Sequence, residues 1–440
     1  MALLTSTLDT SILYVERNPL SIVFLVLTLW LFGRFIRGRP HPNDDVISET
    51  EKDGYPPIEP LHSFDWETTE PLQFRPFKAK YHLTMALSNL DISTLIPIDK
   101  TYRSRLAYRQ SLLSKYPSVV IGVTPTAESE GSLAHSAVRE LYEFVLGVYL
   151  PTRYPGVFDL VDSASSSSST LGPASSTSDE KAGEGLAGDT TATKERKPKY
   201  LLNRITNRSI PTRCPISARE ALTTLGTVVD EDFLILLPTS RVGPPRGEDA
   251  VEEKEAEEED EYTLQAYTTF YPAGFDTREK LGRTLSAIHD PVPRYKEKLE
   301  KSMDRFFAKL EVGRFVQRVN WSVTTGTELF AAFGGIHGDT AGGGEEKSGK
   351  DDGVMGLDAL NVDDTFLRCE RQTLHRLPRT KALVFTFHTY TYPIRTVKEE
   401  GLGEELAQAI DGLKRGSVPE MWWYKRGAVW GDAVKAYLRG

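Results

Sequence analysis

Cysteine is nearly absent. The 440 residues hold two, Cys214 and Cys369. They lie far apart and form no CxxC pair, which excludes a disulfide framework, a cysteine-rich zinc site and an iron–sulfur cluster. So little cysteine suits a reducing compartment. Positive charge is also in deficit: 53 Lys and Arg stand against 62 Asp and Glu, a net charge of −9. With no Lys/Arg-rich face, nucleic acid is excluded as a partner. Much of the acid sits in one run, 248–261, which reads as a solvated segment. A GxGxxG fingerprint and a flavin motif are missing too. Gly342-Gly343-Gly344 lacks GxxxxGK[ST] and a preceding strand, so it is assigned no nucleotide. What is present is 39% hydrophobic and 10% aromatic residues, enough for a substantial core.

One long apolar run occurs. Residues 20–32 contain one Thr, one Ser and no charge, and extending to Ile36 gives 17 residues with Arg34 near the end. That is the short edge of a spanning helix, roughly 17–25 residues. Arg34, Arg37 and Arg39 follow the run, which fits a retained anchor better than a cleaved signal peptide. Asp9 and Glu16 argue against a mitochondrial presequence. The expectation is a single-pass anchor over 1–40, with the bulk of the chain facing the cytosol. A short span favours the thinner endoplasmic reticulum membrane.

Residues 41–70, rich in Pro, Asp and Glu, read as a tether. Three stretches lack the apolar content to fold: 163–199, 242–261 and 337–356, read as disordered surface insertions. Between them the spacing predicts helices over 132–149 and 294–310. Strands are predicted over 233–237 from a short apolar run, over 262–270 and 315–323 from alternation, and over 383–392 from an aromatic, Thr-rich composition. In the last of these Phe385 and Phe387 share one face, and His388, Tyr390 and Tyr392 the other. Helices do not alternate strictly with strands, so the expected class is α+β, an antiparallel sheet with packed helices. Residues 396–440 read as a C-terminal helical extension.

Four groups of segments carry a resemblance. The first is Phe74-Arg75-Pro76-Phe77 with Tyr81-His82-Leu83-Thr84-Met85. The second is Ile98-Asp99-Lys100-Thr101-Tyr102. The third joins Leu281-Gly282-Arg283, Ile288-His289-Asp290-Pro291-Val292-Pro293 and Asp304-Arg305-Phe306-Phe307. The fourth is Arg318-Val319-Asn320-Trp321-Ser322 with Glu370-Arg371-Gln372-Thr373-Leu374 and Arg376-Leu377-Pro378. In this order they resemble the haem-dependent oxidative N-demethylase alpha-subunit family, some of whose members are called HRQ family proteins. The resemblance covers 71–395 apart from the insertions. It implies a PAS-like haem domain, haem b held by a histidine, and oxidation of a small methylated amine with dioxygen. Formaldehyde is released, and electrons come from a separate reductase. The anchor and the insertions depart from the family.

Eight histidines are available. His289, between an apolar segment and a Pro-x-Pro turn, matches the family's motif and is the expected metal ligand. The alternative is a buried histidine bonded to a carbonyl. His82 is the second candidate. His135 falls on the polar side of its helix and reads as solvent-facing. Arg318 and Arg371 suit haem propionates, because a guanidinium fork matches a carboxylate. They suit a salt bridge with Glu370 equally. Trp321 walls the pocket or fills ordinary core. Glu370, Tyr390 and Tyr392 are candidates for a cationic amine. Glu370, Arg371 and Trp321 are thus the expected catalytic set. Cys214-Pro215 is too short a match to carry a haem-sensing role, and Cys369 reads as a small buried hydrophobe. Trp422-Trp423-Tyr424 touches a membrane or partner, or caps the core. The rival to an oxidoreductase is a non-catalytic haem or ligand sensor, or a scaffold, on the same fold.

Overall fold

Long runs of β-branched and aromatic residues with period-two alternation build a sheet, and helices with one apolar stripe cover it. The computed structural model describes residues 54–162, 199–242, 260–334 and 354–440. The chain separates into two units, Met1–Glu49 and Thr50–Gly440, and every described residue lies in the second. In chain order the main elements are β1 (Ser88–Asn89), α1 (Tyr102–Lys115), β2 (Ile121–Val123), α2 (Leu133–Phe144), β3 (Phe158–Val161), β4 (Tyr200–Asn203), β5 (Arg208–Pro211), α3 (Ala218–Val228), β6 (Asp232–Pro238) and β7 (Tyr262–Thr268). Then come α4 (Leu285–His289), α5 (Lys301–Lys309), β8 (Val316–Thr324), β9 (Phe366–Arg376), β10 (Leu383–Pro393), α6 (Ile394–Glu399), α7 (Gly403–Arg415), α8 (Met421–Tyr424) and α9 (Gly427–Arg439).

Among the described residues seven strands form one sheet in the order β1-β8-β9-β10-β6-β7-β2, and β3-β4-β5 form a second. Every pairing is antiparallel. The class is therefore α+β with antiparallel sheets. Parity along β10 sorts its side chains. Val384 faces α2 and α3, in a core with Leu141, Leu222 and Ile235. Tyr390 and Tyr392 face α7 and α9, in a core with Trp321, Cys369 and Ile410. The odd residues Leu383 and Phe385 turn the other way, toward Met303 and Phe307 of α5.

The helices start where short polar residues can cap them. Ser132 accepts from His135 N at α2, Ser217 from Glu220 N at α3, and Thr284 from Ala287 N at α4. Each such cap contributes about 1 kcal/mol. The helix expected over 132–149 is α2 running on into a wider turn at Val145–Tyr149. The one expected over 294–310 begins as a similar turn, Lys296–Glu300, and continues as α5. His135 corrects its expectation: it is buried, with Nε2 2.7 Å from the Ile216 carbonyl.

The expectation of a PAS-like fold with a spanning helix is corrected. Nothing in this arrangement shows a PAS fold; the main sheet is seven-stranded, in the order given above. Among the described residues no helix is long and apolar enough to cross a membrane. α1, at 14 residues, falls short of the ~20 a bilayer requires. The run 20–36 lies outside the described residues, as do 1–40, the tether through 53, and nearly all of 163–199, 242–261 and 337–356. Residues 396–440 fold as helices that share a core with the sheet.

Candidate functional site

Register brings one face of β8, β9 and β10 together. Arg318 lies opposite Gln372, Asn320 opposite Glu370, and Phe387 opposite Gln372. This face forms one wall of a cavity of about 840 Å³. That volume lies within the range of small-molecule and cofactor pockets, roughly 300–1,000 Å³. Leu234, Leu264, Phe385 and Phe387 make the sheet side apolar, and Met303 and Phe307 face them from α5. The segment 81–87 passes over the cavity. Its alternate residues Leu83, Met85 and Leu87 pack inward. Hydrogen bonds from Tyr81 N to Gly412 O (3.2 Å) and from Ser417 N to Tyr81 O (3.0 Å) tie it to the end of α7.

His289 closes α4 and lines the cavity. Its Nδ1 lies 2.8 Å from Leu285 O, and its ring stacks on Tyr295 at 4.7 Å and 12°. Burial pushes its pKa down to about 4, against the opposing pull of the Leu285 carbonyl. The ring is neutral at pH 7. The carbonyl fixes the proton on Nδ1 and leaves the Nε2 lone pair. Among the described residues Nε2 has no hydrogen bond. The two alternatives read from the sequence thus fall on different nitrogens of one ring. A carbonyl-anchored, neutral imidazole is the arrangement a metal ligand needs. Among the described residues no group of three His, Cys, Asp or Glu could hold a bare metal ion. A single histidine suits an iron whose other ligands come from a macrocycle. The residues present fit a haem. His82 also lines the cavity but is exposed, out of step with Leu83 and Met85.

A row of polar side chains crosses the opposite part of the wall. Arg318 Nε donates to Gln372 Oε1 (2.6 Å), and Gln372 Nε2 donates to Glu370 Oε2 (3.1 Å). Asn320 Nδ2 donates to the same Oε2 (3.4 Å), and Lys425 Nζ donates to Asn320 Oδ1 (3.0 Å) and to the Trp321 carbonyl. Glu370 is 6% exposed, and its Oε1 has no hydrogen-bond partner among the described residues. Burial lowers the Lys425 ammonium to about 8, with Glu370 pulling it back up. Burial likewise lowers Arg318, opposed by Tyr81 and Glu370.

The structure brings together His289, His82, Arg318, Trp321 and Glu370 around the cavity. Trp321 both lines it and belongs to the core beneath α7 and α9. Arg371 is placed elsewhere. Adjacent strand residues face opposite ways, and Arg371 donates to Gln317 Oε1 and to the Leu95 and Thr94 carbonyls. Tyr390 and Tyr392 lie on that far side as well. So do His388, between Asp230 and Glu231 (3.4 and 3.3 Å), and His375, stacked on Phe315. In the aromatic triplet, Trp422 is core, Trp423 is exposed and Tyr424 lines the cavity. Sequence reasoning missed Gln372 and Lys425. Gln372 was open to discovery, two residues from Glu370 on one strand face. Lys425 was not, since α8 carries it in.

A family model described as haem-dependent oxidative N-demethylase, alpha subunit-like, matches residues 86–184 and 189–435. No curated protein matches the chain.

Proposed function

The chain belongs to the haem-dependent oxidative N-demethylase, alpha subunit-like family, and from that premise we propose that the cavity holds haem b on His289 Nε2 and that the protein demethylates a small amine. The observation that carries this is the neutral His289 ring, anchored through Nδ1 on a residue that lines the cavity, with no hydrogen bond to Nε2 among the described residues. The proposed reaction balances as a methylamine plus dioxygen, two electrons and two protons, giving the demethylated amine, formaldehyde and water. Bound haem supplies the dioxygen and carbon–hydrogen chemistry.

The chain's own residues supply position. The Leu285 carbonyl fixes the His289 tautomer and orientation. Glu370 Oε1 accepts an N–H from a cationic amine, since a buried carboxylate oxygen without a donor is costly. Leu234, Leu264, Phe385 and Phe387 exclude water from the methyl group. Trp321 bounds the site. Arg318 is free to take a carboxylate, as expected for a propionate ligand. Arg371 is not, because its guanidinium is committed to backbone carbonyls. His82, at the exposed margin, is the secondary ligand candidate. No dinucleotide or flavin motif is present, so a separate reductase supplies electrons.

The test is turnover by the full chain, loaded with haem and given a chemical reductant, against methylated amines. Formaldehyde formed in proportion to dioxygen consumed is expected, with Glu370→Gln losing tenfold or more in kcat/KM. Reversible gas binding without dioxygen consumption for any amine would instead mark a sensor on this fold.

A further inference from the structure

The row Arg318–Gln372–Glu370–Asn320–Lys425 carries more than one carboxylate's worth of recognition. Its two cations sit at the ends, and its anion sits between them. Both amides turn their oxygens to a cation and their NH₂ groups to Glu370 Oε2. The order is fixed before any ligand arrives, because each amide is held from both sides.

Charge does not balance within the row. Neither Arg318 nor Lys425 makes a salt bridge among the described residues, although Lys425 is 1% exposed. Arg75, Arg105 and Arg109, by contrast, each reach a carboxylate. A buried ammonium and a half-buried guanidinium outnumber the one carboxylate between them, and a cavity wall is where a ligand can relieve such an excess. Glu370 Oε1 adds an unpartnered acceptor on the same wall. A simple dialkylammonium would satisfy Oε1 but add a third positive charge to a row with one carboxylate.

We infer that Arg318 and Lys425 form a carboxylate-binding subsite beside Glu370, so that the amine substrate is zwitterionic, an N-methylated amino acid. This rests on the functional reading above and names its substrate class. The ammonium meets Glu370 Oε1, and the carboxylate meets the Arg318 fork and the Lys425 ammonium. The N-methyl group is then directed to the apolar part of the cavity. A haem propionate offers the same carboxylate chemistry, so the experiment must separate the two sources.

Calorimetric titration of the full chain, haem-free and haem-loaded, with N-methylglycine, dimethylamine and acetate makes the separation. N-methylglycine is expected to bind at least tenfold more tightly than either other probe. Arg318→Gln and Lys425→Met are each expected to reduce that preference tenfold, while Arg318→Lys retains most of it. Lys425→Met carries the test if Arg318→Gln fails to fold by circular dichroism. Equal affinities for N-methylglycine and dimethylamine overturn the inference. So does an Arg318→Gln variant that loses haem affinity while keeping the N-methylglycine preference, since the subsite then belongs to a propionate. If the chain binds no haem but still prefers N-methylglycine, the subsite stands and the haem reading falls.

Discussion

His289 and His375 are both neutral, for different reasons, and only one is anchored. His289 has Leu285 O on Nδ1 and the cavity at hand. His375 is 1% exposed, burial alone pushes its pKa down to about 3, and among the described residues neither ring nitrogen has a partner. Its folded-state pKa lies below the unfolded value of 6.5, so unfolding takes up a proton at lower pH. Stability associated with His375 is intact above about pH 6.5 and falls as pH drops toward 3. His375→Leu removes this dependence. Between pH 7 and pH 5 the wild type is expected to lose about 2 kcal/mol relative to the variant in denaturant unfolding. Parallel losses in the two proteins would show that His375 finds a donor or acceptor in solution. The residue scale also shows what parity alone could decide. Glu370 and Arg371 are neighbours on one strand, so their side chains leave opposite faces of the sheet. The expected pairing of the two at a site was open to doubt from the sequence itself. His135 was not. Its burial depends on the Ile216 segment closing over it, a long-range contact absent from any helical wheel.

The elements that shape the cavity meet at close backbone approaches. Gly416, at the end of α7, comes so near the segment over the cavity that a Cβ there would stand 1.6 Å from Tyr81 O. Tyr81 O also accepts from Ser417 N, so the contact is both steric and hydrogen-bonded. Gly416→Ala forces the segment 81–87 outward or α7 back. Overpacking of this kind costs about 1–3 kcal/mol. Chemical denaturation should show that loss, and haem affinity should weaken with it because Leu83, Met85 and Leu87 shift. Unchanged stability and haem affinity would mean the segment does not help shape the cavity. At this scale the strands were legible: β8 and β10 match the strands read over 315–323 and 383–392 to within a residue. The split of Phe385 and Phe387 from Tyr390 and Tyr392 was legible too. What alternation cannot tell is which face is wet. On β8 the polar face carries Arg318 and Asn320, and it lines the cavity. α8 was illegible as a contributor, since four residues carry no period.

Among the described residues three buried clusters pack against the seven-stranded sheet, and the cavity lies on the sheet face that carries Arg318, Glu370 and Phe387. Family membership was legible because ordered segments recur across most of the chain. The sheet's strand order was not, because it depends on pairings between distant segments such as β10 with β6. His289 sits where α4 ends, after a capped start at Thr284, so its position is set by local structure as much as by the cavity. Haem titration of the full chain, wild type against His289→Ala, is therefore the most direct measurement. One haem per chain with a Soret band that shifts on reduction is predicted for the wild type, and loss of stoichiometric binding for the variant. An unchanged Soret band and stoichiometry in His289→Ala would contradict the account.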